Sequence, residues 1–368
     1  MRAVLTVLIV LGFALPAYAA SAAPSASPVL ASVIAIESTS SQAVPDTTLV
    51  ERVQMLQAKI TDGPGAGTVI TVQNDYVPLA VGDRFYIVSS TDPATGALSY
   101  TASEPYRIPQ LLVLAAFFFG IVCVFGGWQG VRALAALAGS LFFIIVLLLP
   151  GILHGYPPVL VAVGIASLVI LLGSYITHGF NKVTTSAVIG MLATLVLTGI
   201  LSEAVFASMH FSGFSTDEAM TLNFATAGSI DFVGILLGGV LIGLLGVLYD
   251  AAIGQAVAVD ELAKSVADHS RFNLYRRAMR IGREHIGALV NTLAIAYVGA
   301  ALPLLLLLYN LSSGTPISFT LNQEIISSEI VRILIGGIGV VLAVPITTFI
   351  ATLLLVGKKE ATGASSAS

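Results

Sequence analysis

The stretch LLVLAAFFFGIVCVFGGWQG, residues 111–130, carries no charged side chain and is long enough to cross ~30 Å of hydrocarbon as a helix. It opens a series. No Asp, Glu, Lys or Arg stands between Arg107 and Arg132, and none between Arg132 and Lys182, where Pro150-Gly151 and Pro157-Pro158 divide the run. Further uncharged gaps run from Lys182 to Glu203, Asp231 to Asp250, His285 to Glu324 and Arg332 to Lys358. Backbone donors in lipid have no water to bond, so these segments must be helices. The gaps predict seven spans, at about 109–128, 131–150, 158–177, 183–207, 231–254, 285–309 and 331–356.

Composition agrees. With 56% hydrophobic and 10% charged residues and a mean hydropathy of +0.95, the 368-residue chain has too little polar surface for a water-soluble globule. A net charge of −4 says nothing about a nucleic-acid partner, and none is expected, because the retention of Lys and Arg on the cytoplasmic side already accounts for the basic cluster. The single cysteine, Cys123, lies in an apolar run, so nothing outside the membrane is stapled by disulfides.

Residues 1–20 have the form of a secretory signal: Arg2, an apolar stretch from Ala3 to Leu15, and the small-residue site Ala17-Tyr18-Ala19. If uncleaved, the same segment would be an extra anchor. Residues 21–45 are rich in Ala, Ser and Pro and read as a linker. Residues 46–107 change texture, with β-branched and aromatic runs such as Thr68-Val69-Ile70-Thr71-Val72 and Phe85-Tyr86-Ile87-Val88 between turn clusters. This predicts a small β-rich domain of four to six strands. Gly63-Pro64-Gly65-Ala66-Gly67 lacks the trailing Lys and Ser/Thr of a phosphate loop and reads as a hairpin turn.

Lysine and arginine set the orientation, because short translocated loops lack them. Placing the β-rich domain outside puts Arg132, Lys182, Lys264, Arg271, Arg276, Arg277, Arg280, Arg283, Lys358 and Lys359 inside. Loops 208–230 and 310–329, which contain neither Lys nor Arg, then lie outside. Only Arg332, at the outer edge of the last span, opposes the trend; it pairs with Glu329 or Glu324, or snorkels outward. The expected architecture is an α-helical polytopic membrane protein. It comprises a signal peptide, an extracytoplasmic β-rich domain, a transmembrane domain over 108–357 with a cytoplasmic basic loop at 255–284, and a cytoplasmic tail at 358–368.

The chain contains no Walker-type phosphate loop, His-Glu-x-x-His motif, Gly-x-Ser-x-Gly elbow or Cys/His metal cluster, and its five histidines are scattered. Neither a catalytic residue, a metal site nor a cofactor is expected. The most informative stretch lies around the fifth and sixth spans. Gly239, Gly243 and Gly246 lead to Asp250 along one helical face, a smooth packing surface of the Gly-x-x-x-Gly kind. The sixth span offers Glu284, Ala288 and Asn291 at matching spacing, with Thr292 beside them. Asp250, Arg283, Glu284, Asn291 and Thr292 are therefore candidates for a substrate or ion pathway, since intramembrane ionisable groups tend to mark one. The alternatives are an ordinary Asp250–Arg283 ion pair and helix-to-helix bonding by Asn291. The arginines between Arg271 and Arg283 alternate with Phe272, Leu274, Tyr275, Met279 and Ile281, which suits an interfacial segment beside anionic head groups.

These same residues carry a resemblance. Leu248-Tyr249-Asp250-Ala251-Ala252-Ile253, then Asp260-Glu261-Leu262, then Ile281-Gly282-Arg283-Glu284-His285-Ile286-Gly287 and Asn291-Thr292-Leu293-Ala294-Ile295-Ala296-Tyr297 follow one another as in the YibE/F-like family of bacterial multipass membrane proteins. The likeness extends to Gly126-Gly127-Trp128-Gln129-Gly130 and, upstream, to Gly82-Asp83 and Tyr106-Arg107. Ala256-Val257-Ala258-Val259 departs from the serine-rich version the resemblance leads one to expect. The resemblance implies a bacterial inner-membrane protein and supplies no substrate or catalytic residue. Two functions stay open: a permease for an unknown small solute or ion, and a membrane scaffold or sensor whose β domain binds an envelope protein.

Overall fold

The computed structural model describes residues 28–43, 50–63, 65–91, 98–265, 270–311, 314 and 316–355, in two compact units. The signal sequence and the C-terminal tail lie outside the described residues.

The first unit contains a closed five-stranded barrel. Its strands are β1 (Val29–Ala43), β2 (Val50–Ile60), β3 (Val69–Asn74), β4 (Arg84–Thr91) and β5 (Leu98–Pro105). The order around the barrel is β1-β2-β3-β5-β4, with β4 closing on β1 and a parallel pairing of β3 with β5. That is the strand order of an OB-type barrel, a fold that by itself assigns no function. The glycine-rich turn joins β2 to β3 as an antiparallel hairpin, with Gly63, Gly65 and Gly67 all at positive φ. Phe85, Leu56, Ile87 and Val72 fill the core without measurable exposure beyond 1%.

Two buried polar side chains hold the crossing from β3 to β4. Asn74 Nδ2 donates to Gln54 Oε1 at 2.9 Å and to the Val77 carbonyl at 2.8 Å. Gln54 Oε1 also accepts from the Leu79 N–H at 2.8 Å. Each amide thus has partners, as burial requires.

β1 corrects the domain boundary, because residues 29–43 form a strand where the composition suggests linker. Its Ser and Ala content hides the strand, but Ala31 and Val33 are buried, and the strand pairs with both β2 and β4. A fragment of residues 28–107 should therefore give a β-type far-UV spectrum and a cooperative melt. A fragment of 46–107, lacking the strand that closes the barrel, should not. Equal folding of the two fragments would show that β1 is dispensable.

The helices are α1 (Ile108–Phe143), continued by a π-helical turn and α2 (Leu149–Leu153), then α3 (Pro158–His178), α4 (Lys182–Met209) and α5 (Asp217–Ala225). They are followed by α6 (Phe232–Gly243), α7 (Leu245–Ser265), α8 (Arg271–Ala300), α9 (Leu302–Leu311), α10 (Ile317–Asn322) and α11 (Glu324–Leu355). Among the described residues, five helical runs are long and apolar enough to cross a membrane, or six if α8 and α9, bent by 63°, count as one. The expected spans at 109–128 and 131–150 form one run, Ile108–Leu153, whose backbone leaves helical geometry at Gly127. The expected basic loop is also mostly helix: α7 extends to Ser265 and α8 starts at Arg271.

In the second unit α11 packs against α4, α7 and α8, while α3 packs against α4 and α6. Met191, Leu195, Leu241, Leu244, Leu248 and Val340 are fully buried at the centre. The α4–α11 seam is made of small residues. A methyl on Gly190 would overlap Thr347 Oγ1, and one on Gly339 would lie 2.8 Å from Thr198 Oγ1. These two contacts run in opposite chain directions, so the helices are antiparallel. Small residues permit this close approach, which drives helix association where lipid is as apolar as leucine.

Candidate functional site

The structure separates the residues singled out above. Gly239 and Gly246 face open space, and only Gly243 is covered, by the Tyr297 hydroxyl. The glycine row is therefore not the packing face within this chain; the neighbouring Gly234 and Gly238 meet α3 instead, at Pro158 and Ala162. Gln255 Nε2 donates to the Ala278 carbonyl at 3.0 Å, and a methyl on Gly282 would overlap Val344 and crowd Gln255. Gly243–Tyr297 thus joins the end of α6 to α8, and Gln255–Ala278 joins α7 to α8, at two levels.

Between those levels lie Asp250 on α7 and Glu284, Asn291 and Thr292 on α8, all exposed, as is Arg283. Thr292 spends its hydroxyl on the Ala288 carbonyl. Among the described residues, no ion pair joins Asp250 to Arg283. Asp231 has a structural role, capping α6 by accepting from the Gly234 N–H at 3.0 Å.

A better-formed site lies at the end of the bundle where α11 begins. The bend between α8 and α9 opens a cavity of about 640 Å³, lined on that side by Tyr297 and Pro303, on α11 by Glu329 and Arg332, and near the start of α5 by Asp217 and Glu218. Arg332 Nη1 lies 3.0 Å from Glu329 Oε1, and the two side chains are 25% and 27% exposed. Arg332 Cζ stands 5.9 Å over the Tyr297 ring, while its Nε is buried without a partner. Arg332 is eight residues into α11, about 12 Å along the helix from its start. A guanidinium does not deprotonate, so when partly buried it requires a counter-charge and polar surroundings.

The surrounding loop is fixed independently. Glu324 accepts from the Ser212 N–H, the Ser212 hydroxyl and the Gly213 N–H, tying the loop after α4 to the start of α11. Gly213 has φ 80 and sits where a Cβ would collide with the Phe232 backbone, so this turn requires glycine. Thr216 caps α5 by accepting from the Ala219 N–H at 3.3 Å. Bonds from its own backbone N–H and the Thr216 hydroxyl hold the Glu218 carboxyl below its ordinary pKa, so it stays ionised.

A family model for YibE/F-like proteins matches residues 114–357, more than half of the chain. The chain belongs to the YibE/F-like family. The YibE/F-like region contains the whole helical bundle from α3 to α11 and therefore the cavity, whereas the barrel precedes it. Gly82-Asp83 and Tyr106-Arg107, to which the sequence reading extended the likeness, lie outside the match. No curated protein and no solved structure matches the chain.

The sequence directed attention to another part of the YibE/F-like bundle, because it was read along one helix face. Of the cavity's chemistry it singled out Arg332, as the one basic residue opposing the charge pattern, and named Glu329 as a partner. Tyr297 and the start of α5 join only through tertiary packing. The signal available was Pro303, just past Ala301, where α8 gives way to α9.

Proposed function

We propose that this YibE/F-like protein is a permease for a small solute, with the cavity at Glu329 and Arg332 as the outer mouth of its path. The observation that carries the reading is a charged pair facing a cavity among helices long and apolar enough to cross a membrane, an arrangement that costs energy and marks pathways. Loops 208–230 and 310–329 flank that end and lack Lys and Arg, which supports an extracytoplasmic location. The run Ile108–Leu153 has 46 residues, about 69 Å as helix, more than twice the hydrocarbon thickness. Counting it as two crossings broken at Gly127, and α8–α9 as one, gives seven spans. The β-rich barrel is then outside, the C-terminus is inside, and the protein resides in the bacterial inner membrane.

In the same topology Arg276, Arg277, Arg280 and Arg283 are exposed at the cytoplasmic surface, beside anionic lipid head groups. Asp250, Glu284, Asn291 and Thr292 are candidates for the inner part of the path. A second reading, a scaffold that recruits an envelope protein, draws on the barrel, which has its own core and lies outside the family match.

The permease reading requires the cavity to face outward. In a Cys123→Ser background, a single cysteine at Ala300 should react with a membrane-impermeant maleimide added to intact spheroplasts. One at Ser265 should react only after permeabilisation. The reverse pattern would invert the topology and remove the proposed mouth.

A further inference from the structure

The cavity lining contains three carboxylates, Asp217, Glu218 and Glu329, against one guanidinium, Arg332. That guanidinium lies 3.0 Å from the Glu329 carboxylate and 5.9 Å from the centre of the Tyr297 ring. A carboxylate beside an aromatic face is the pairing that recognises an organic cation, through a charge-assisted hydrogen bond and the ring's negative face. The protein's own side chain therefore fills the position such a ligand would take.

We infer that the cavity binds a small organic cation bearing a guanidinium or primary ammonium group, which exchanges with Arg332 at Glu329 and Tyr297. The inference rests on the permease reading of the same cavity and names its substrate class. Charge balance favours it. With a cation bound, two positive groups face three carboxylates, whereas an anion would add to an existing negative excess and must pass Asp217 and Glu218, both exposed. Among the described residues, no three acidic, His or Cys side chains are grouped to hold a metal ion, which favours an organic cation over a divalent metal. A volume of about 640 Å³ suits a small organic solute.

The test titrates purified full-length protein with ethylguanidinium chloride and ethylammonium chloride, against sodium acetate and sodium chloride at matched ionic strength. Thermal unfolding is the readout. Both cations should raise the melting temperature saturably, and Glu329→Gln should weaken their binding roughly tenfold, the loss of one charge-assisted contact. Arg332→Gln should tighten binding several-fold, because the internal competitor is gone. An ion pair that only supports the fold would not produce that gain. If Arg332→Gln does not survive purification, Tyr297→Leu serves instead, with several-fold weaker binding of both cations expected. Saturable stabilisation by acetate alone, an Arg332→Gln protein that binds cations no tighter than wild type, or unchanged binding in Tyr297→Leu would overturn the inference. In reconstituted vesicles, cation binding without uptake would sink the permease reading and leave the binding site. Uptake of acetate or glycine but of neither cation would do the opposite.

Discussion

Gly190→Ala should destabilise the purified protein by about 2–3 kcal/mol, the upper part of the range for overpacking a close-packed interior. Its new methyl would overlap Thr347 Oγ1 and lie 3.0 Å from Thr347 Cα. The hydroxyl can rotate, but the backbone can yield only by separating α4 from α11. Gly282→Ala should behave similarly, because its methyl would meet Val344 and Gln255 Oε1 together. Gly239→Ala and Gly246→Ala should be neutral or stabilising by up to ~1 kcal/mol, since open space surrounds both and alanine favours helix. Melting temperatures of the four variants in one detergent would check the series. If Gly239→Ala and Gly246→Ala lost as much stability as Gly190→Ala, the exposed glycine row would have to be an interface with another molecule.

That contrast shows where the sequence was legible and where it was not. Helix positions were readable because lipid imposes a length of uncharged chain: the expected 158–177 and 183–207 correspond to Pro158–His178 and Lys182–Met209. Helix ends were less so. α8 begins at Arg271, fourteen residues before the expected span, because a helix may continue into water once its charges lie outside the hydrocarbon. Packing faces were misread, since small residues occur on several faces and only burial selects among them. Gly190, Thr194, Thr198 and Ser202 recur every four residues on α4 and are all buried, a pattern as regular as the glycine row. In the barrel, β1 was hidden by Ser38 to Ser41, although Val29-Leu30 and Val33-Ile34 were strand signals in plain view. The cavity was the least legible part, because its residues come from segments separated by more than a hundred positions and meet only once α8 bends into α9.

Glu329→Gln and Arg332→Gln should each lower stability by about 1–3 kcal/mol, because either change leaves a partly buried partner without its counter-charge. The magnitude stays below that of a fully buried pair, as both side chains are about one-quarter exposed. In the double variant neither charge remains to be compensated, so its melting temperature should return most of the way to wild type. Transport should not return with it. If Glu329 holds the solute in passage, every variant lacking that carboxylate stays impaired whatever its stability. The decisive measurement is uptake of radiolabelled guanidinium, glycine and acetate into vesicles reconstituted with wild type, Glu329→Gln and the double variant, each normalised to folded protein. The account predicts uptake of at least one solute by wild type and a roughly tenfold or greater loss in both variants, the double included. No uptake of any solute by wild type, or full recovery of uptake together with stability in the double variant, would contradict it.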